Sequence, residues 1–351
     1  MTGSFVIKKN RILEILFFII IFLVNLKMTL NISDFATANL SILIISFISL
    51  LFTKIDDNIY WIVLFFILSL FRVEASKMLF VSLLVSISRN LYIDKMAKYS
   101  FCLTVLFLII NYGLLILGVL HEEYSDFFYK SGGVVSDMGY GNPNLFSLYL
   151  FFLVIFLVVL KKEINTFLVA FIVFVIYESF YSRTVLFSGC ILLVLSFVQK
   201  TNLKKCFFNK YILLSYPFVI LFFFIVVLFN ESEYSFIHEI SSGRLRYSLL
   251  VFGELTPNNL LIGATKIDES IIIDVAYISL LLSSGIFSLA YLYNLYCKAV
   301  SKFDYNSILI PVMLQYLFLS LSESAIINTY LWGGLFFWIV MSGKYSCGNT
   351  N

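Results

Sequence analysis

Charge is scarce in this chain. Asp, Glu, Lys and Arg supply 13% of its 351 residues, where a water-soluble domain carries roughly a quarter. So few charges cannot coat a water-facing surface of this size, which excludes an ordinary soluble fold. Cysteine is also sparse. The five present (Cys102, Cys190, Cys206, Cys297 and Cys347) lie far apart, with no CxxC or Cys/His spacing. A disulfide framework and a metal site are therefore not expected. Only two histidines occur, His121 and His238. No internal repeat and no separable soluble domain is visible. A cleaved leader is not expected either. Lys8, Lys9 and Arg11 precede an apolar run with no small-residue cleavage site after it, so the first helix should remain as an anchor.

What is present is apolar surface in long runs. Hydrophobic residues make up 61% of the chain, the mean hydropathy is +0.97, and stretches such as 151–160 and 211–229 are unbroken. Runs of this kind match the thickness of a bilayer core rather than one face of a soluble helix. The expected fold class is an all-α, polytopic transmembrane bundle, one integral membrane domain over residues 1–351. Twelve spans are expected, near 12–30, 37–53, 58–71, 78–93, 99–120, 143–160, 164–180, 184–199, 211–229, 271–296, 306–321 and 325–342.

Charge placement orients these spans. With the N-terminus cytoplasmic, the inner connections hold 16 of the 24 basic residues, only two of them arginine (Arg11 and Arg89). The outer connections hold the other eight, and the acidic residues divide 6 inside and 15 outside. Lys/Arg bias sets topology, so both termini are expected in the cytoplasm. Two outer connections are long, 121–142 and 230–270, the latter between the ninth and tenth spans. Elaborate loops on a rigid scaffold carry function, so the working face is expected outside.

Half of the outer basic residues are arginine: Arg72, Arg183, Arg244 and Arg246. Lysine suffices for topology, whereas the planar guanidinium binds phosphate through two parallel hydrogen bonds. Arg183 lies in Tyr181-Ser182-Arg183-Thr184, between two apolar spans with almost no loop. An arginine near hydrocarbon costs roughly 2–3 kcal/mol at the bilayer centre and less at its edge, so it needs a partner. Lipid phosphate is one candidate partner and Glu178 another; snorkelling to headgroups would also accommodate it. Ser241-Ser242-Gly243-Arg244-Leu245-Arg246-Tyr247 reads as the start of a surface helix, with serine caps and Leu245, Leu249 and Phe252 on one side. Its two arginines point to different sides, where they would bind anions or rest on anionic lipid.

His238 and His121 open onto the long loops, His238 as a candidate general base and either one equally a solvated loop residue. Glu323, in Leu321-Ser322-Glu323-Ser324-Ala325, falls in what reads as a very short outer turn between the last two spans. A carboxylate so close to hydrocarbon is usually paired or functional. Asp274, three residues before Tyr277, is similar. In Gly141-Asn142-Pro143-Asn144 the pattern is a helix start, with Asn142 capping and Pro143 at the first helical position.

In this order the pieces resemble the Wzy-type O-antigen and capsular polysaccharide polymerases, relatives of the O-antigen ligases. The matching features are Gly-Asn-Pro-Asn at 141–144, Ser182-Arg183-Thr184 at a tight outer turn, and a late outer loop with Ser242-Gly243-Arg244 and Gly263. Asp274-x-x-Tyr277, Gly285, Glu323, Asn328 and Trp332-Gly333-Gly334 follow. The resemblance covers about residues 140–335. It implies a membrane glycosyltransferase, without metal or cofactor, that joins undecaprenyl-pyrophosphate-linked repeat units on the outer face of the bacterial plasma membrane. Arg183, Arg244 and Arg246 would hold pyrophosphate, Glu323 or His238 would be the base, and Glu178, Asp274 and Tyr277 would support them. The partners implied are the lipid-linked donor and acceptor glycans, membrane lipids, a flippase and a chain-length regulator, with no nucleic acid. A lipid-linked oligosaccharide flippase and a ligase-like glycan transferase are the competing readings; a membrane acyltransferase lacks an early inner-loop motif.

Overall fold

The computed structural model describes residues 2–30, 35–54, 56–122, 124–126, 134–140, 142–162, 165–229, 244–264, 275–329 and 331–344. Helices account for nearly all of it. Five precede the first long loop: α1 (Thr2–Thr29), α2 (Phe35–Leu50), α3 (Asn58–Phe71), α4 (Ala75–Ser88) and α5 (Ile93–Ile116). A short antiparallel hairpin follows, β1 (Tyr124–Asp126) against β2 (Val134–Ser136), with Ser125 opposite Val135. Then come α6 (Pro143–Lys161), α7 (Thr166–Phe180), α8 (Arg183–Lys200), α9 (Lys204–Phe207) and α10 (Lys210–Phe229). The last six are α11 (Arg244–Glu254), α12 (Pro257–Ile262), α13 (Ala276–Ser284), α14 (Ile286–Lys302), α15 (Leu309–Leu319) and α16 (Trp332–Ser342).

Among the described residues four helices are long and apolar enough to cross a membrane: α1 from Lys9, α5, α6 and α8. The bent pair α13–α14 makes a fifth if counted as one span, and seven further apolar helices run 10–17 residues. The apolarity is arranged for lipid. Peripheral helices turn large side chains outward, Phe167 being 83% exposed and Phe171 and Phe174 58% each on one flank of α7. Exposed apolar area of this extent would drive association in water, and hydrocarbon accommodates it.

The centre is α16, buried along its whole length, with α4, α6 and α15 around it. Its polar atoms find partners inside the bundle, as a low-dielectric interior requires. Trp332 donates its indole N–H to Ser100 Oγ at 2.7 Å, and Trp338 donates to the Ile326 carbonyl at 2.6 Å. Two adjacent glycines let α16 pack this closely. A β-carbon on Gly333 would lie 2.1 Å from the Phe152 ring, and one on Gly334 would lie 1.9 Å from the Ala325 carbonyl oxygen.

The two ends of the bundle differ chemically. Ion pairs between separate connections gather at one end: Arg89–Asp56 at 2.5 Å, Lys95–Glu14 at 2.6 Å, Lys162–Asp94 at 3.3 Å and Lys298–Asp57 at 3.5 Å. Lys344 ties the last helix there, exchanging backbone hydrogen bonds with Leu91 and Ile93. Every residue in these pairs lies in a connection, or close to a span end, that the lysine count assigns to a single side.

Two expectations need correction. The stretch 271–296 is not one straight span: α13 and α14 meet at Gly285 with a 120° bend. Gly285 has φ +61°, and a β-carbon there would lie 2.1 Å from the Leu261 carbonyl oxygen, so the chain turns where α12 crosses it. Nor does a very short turn separate the last two helices. Residues 320–331 intervene; 320–329 are non-helical and packed inward, with Ile326 fully buried.

Candidate functional site

Three segments far apart in sequence meet at the end opposite the lysine-rich one. The first is the start of α6, where the Asn142 side chain accepts from the Asn144 N–H and Pro143 occupies the first turn. The second is the two-residue turn between α7 and α8. Tyr181, at φ +49°, closes α7, and Ser182 caps α8 by accepting from Val185 N–H. The third is the inward-packed segment carrying Glu323.

Glu323 is 8% exposed. Its Oε1 accepts a hydrogen bond from Asn144 Nδ2 at 2.5 Å and another from Thr184 Oγ1 at 2.9 Å. Ser182 Oγ donates to Asn144 Oδ1 at 2.6 Å, which fixes the orientation of that amide. Asn144 and Thr184 are each the second residue of their helix. Two helix N-termini, with their partial positive charge, thus converge on the carboxylate and partly offset the penalty of burying it. Below Asn144, Phe146 packs edge-on against Phe180 at 5.0 Å and tilted against Tyr140 at 5.2 Å, so α6 and α7 meet through rings.

Arg183 is the first residue of α8, half-buried and adjacent in sequence to Thr184. A cation at a helix N-terminus works against the macrodipole, so this position suits a guanidinium that serves an anion. Glu178 is exposed on the last turn of α7. Tyr277 is buried near the start of α13, where its hydroxyl donates to the Leu317 carbonyl at 3.1 Å, and Ala276 N–H donates to Ser320 O at 3.0 Å. Tyr277 and Ala276 therefore tie the start of α13 to the end of α15 and the residue after it, six and three positions before Glu323. His121 is exposed beyond the end of α5. Arg244 and Arg246 occupy the first turn of α11, as the surface-helix pattern predicts, and the positions of their side chains lie outside the described residues. His238 and Asp274 also lie outside them.

Asn144 and Thr184, which bond Glu323, and Ser182, which bonds Asn144, are absent from the sequence-derived site. Their motifs were visible, but Asn144 reads locally as part of a helix start. The signal that could have found them is shared sidedness: all three are polar residues at the start of a helix, on the side assigned to Glu323.

Chemically, the site offers a buried carboxylate that can receive a proton, and Arg183, next to Thr184 in the chain, carries a guanidinium of the kind that binds oxyanions. Among the described residues no group of three His, Cys, Asp or Glu side chains is disposed to hold a metal ion. In comparisons with known proteins the chain matches no family model, no curated protein and no solved structure.

Proposed function

We propose that this protein is a polysaccharide polymerase of the bacterial plasma membrane, crossing it twelve times with both termini in the cytoplasm. It joins undecaprenyl-pyrophosphate-linked repeat units at the outer face. The observation that carries the reading is the convergence of Asn144 and Thr184 on the buried carboxylate of Glu323, with Ser182 holding Asn144 and Arg183 next to Thr184 in the chain. These are the segments on which the polymerase resemblance rests, and they meet at one end of the bundle.

The reaction needs two services. An acceptor sugar hydroxyl attacks the anomeric carbon of the donor glycan, and the bond from that carbon to the pyrophosphate oxygen breaks. The hydroxyl proton passes to Glu323, and the pyrophosphate leaves with the bonding electron pair. Asn144 and Thr184 hold the carboxylate in place for the proton. Arg183, with Arg244 or Arg246 from α11, balances charge on the departing pyrophosphate. Membrane lipid, a flippase that supplies repeat units and a chain-length regulator complete the expected surroundings.

The fork geometry of Arg183 gives the test. Arg183→Lys keeps the charge and loses the paired hydrogen bonds, so cells carrying it should insert the protein normally while the ladder of long glycans collapses. Arg244→Ala should leave single repeat units made and exported but not joined. Long glycan persisting in both variants contradicts the proposal.

A second reading has one observation in its favour. Gln315 on α15 is fully buried with neither amide atom hydrogen-bonded, and the Ser188 and Ser196 hydroxyls on the facing helix α8 are likewise unpartnered. Unsatisfied polar groups deep in a bundle are what a transporter of lipid-linked oligosaccharide would use. Repeat units accumulating on the cytoplasmic face of a Gln315→Leu strain would favour that flippase over the polymerase.

A further inference from the structure

A second polar cluster lies on the other side of α6 from the Glu323 site, and the mechanism above does not use it. Five groups from four segments build it. Asn25 and Thr29 come from the last turns of α1, Asn111 from α5, Tyr149 from α6, and Tyr140 from the turn that leads into α6. All five are buried, Thr29 and Asn25 completely. Part of the cluster is settled: the Tyr149 hydroxyl donates to Asn25 Oδ1, and Asn111 Nδ2 donates to the Met138 carbonyl at 2.7 Å.

Three atoms are not settled. Among the described residues Thr29 Oγ1, Asn111 Oδ1 and the Tyr140 hydroxyl meet no partner of good hydrogen-bond geometry, although the Thr29 and Tyr140 hydroxyls lie close enough to interact with each other. A buried polar atom left unsatisfied is expensive, and three in one place need a common explanation. Burial also pushes the Tyr140 phenol well above its ordinary range, so it remains a neutral group that can donate and accept.

The chemistry of the missing partner follows from this inventory. Asn111 Oδ1 only accepts, which disfavours a phosphate oxygen. The two hydroxyls both donate and accept. Lys27, the cation on the same stretch of α1, turns to Asn39 on α2, 2.5 Å away. Tyr140 and Tyr149 add ring faces, 5.5 Å apart and tilted by 40°. A neutral polyhydroxyl ring fits these demands: its hydroxyls donate and accept, and its carbon faces pack on aromatic rings.

The wall formed by 137–140 is a turn instead of a helix, and it is a strained one. Met138 has φ +51° and Gly139 +77°, with Asp137 Oδ1 accepting from Gly139 N–H at 2.9 Å. A non-glycine residue in the left-handed region persists where the surroundings demand it, often at ligand-binding segments.

We infer that this cluster is a saccharide subsite, in which Thr29, Asn111 and Tyr140 take the hydroxyls of one neutral sugar ring of the acceptor repeat unit. The 137–140 turn is its entry side. Tyr140 lies four residues before Asn144 and packs against Phe146, so the cluster sits on the segment that leads into the Glu323 site. The inference rests on the polymerase reading and names the substrate class that its acceptor side selects.

The test uses the full-length protein in lipid nanodiscs, as wild type and as the Thr29→Val/Tyr140→Phe double variant. Both changes are near-isosteric and delete only unpartnered hydroxyls, so the unliganded variant should be at least as heat-stable as wild type. Two probes are compared: undecaprenyl pyrophosphate, and the same lipid carrying the repeat-unit glycan. Wild type should be stabilised by both, and more by the glycan-bearing lipid. The variant should keep the response to undecaprenyl pyrophosphate and lose the increment due to the glycan. Its KM for lipid-linked repeat units should rise about tenfold to thirtyfold, from two lost hydrogen bonds at roughly fivefold each, with kcat within about twofold. Tyr140→Phe alone carries the same test at roughly fivefold, should the double variant fold poorly. An unchanged glycan increment and unchanged KM would mean the cluster holds water only, and would overturn the subsite while leaving the polymerase reading intact. A wild type that responds to neither lipid would overturn both.

Discussion

Both ends of this bundle bury polar side chains, and they do so in opposite ways. At the lysine-rich end, Asn58 is 1% exposed, and its amide donates to the Ser82 carbonyl and to Ser86 Oγ, each at 2.7 Å. The same side chain accepts from the Tyr291 hydroxyl at 2.8 Å. The network is neutral, closed, and links α3, α4 and α14. At the other end, Glu323 brings a carboxylate into the bundle among helix starts, where Asn144 and Thr184 donate to it. A fully satisfied neutral network rigidifies a core, whereas a buried charge is a poor means of stabilisation. The contrast separates what holds the bundle together from what the bundle holds in place.

The largest expected effect lies at the closed end. Asn58→Leu removes three hydrogen bonds and strands Tyr291, and should lower stability by about 2–4 kcal/mol. Thermal denaturation in nanodiscs reads this directly, and folded molecules should still elongate glycan. A smaller loss is expected of Gly334→Ala, whose new methyl must displace the Ala325 carbonyl two residues from Glu323. It should cost about 1–3 kcal/mol as an overpacked contact and reduce elongation with it.

At the open end the pattern inverts. Thr184→Val deletes one donor to Glu323 and should change stability by no more than about 1 kcal/mol, yet slow elongation roughly tenfold. An equal fall in stability at both ends, measured under the same conditions, would erase the distinction. The smallest effect belongs to Gln315→Leu. Replacing an unpartnered buried amide by a near-isostere should stabilise the protein by about 1 kcal/mol. On the polymerase reading, glycan length is unaffected.

Much of the architecture was legible because it depends on local chemistry. The Asn142-Pro143 helix start, the Ser182 cap and the surface helix beginning at Arg244 each follow from residues a few positions apart. The lysine count likewise grouped the connections that ion pairs join at one end. What escaped depends on tertiary contact. Apolarity runs on across Gly285, so nothing local marks the 120° break that α12 imposes there. Ala325, Ile326 and Ile327 read as membrane helix, although Ile326 serves Trp338 through its carbonyl. Asn144 and Glu323 stand 179 positions apart, and no periodicity brings them together. The cluster around Tyr140 escaped for the same reason: its members come from α1, α5, α6 and a turn, and each alone looks like an ordinary polar residue in an apolar helix.

The central claim is that Glu323 receives the acceptor proton and that its neighbours exist to position it. Glu323→Gln preserves size and the hydrogen bonds it can still accept while removing the basic carboxylate, so it isolates that role. Purified wild type given lipid-linked repeat units should build a ladder of lengthening chains. Glu323→Gln, matched for thermal stability and for binding of the same lipid, should leave single units with elongation at least a hundredfold slower, the scale of a lost general base. A Gln variant that binds equally and builds the ladder at the wild-type rate would contradict the account.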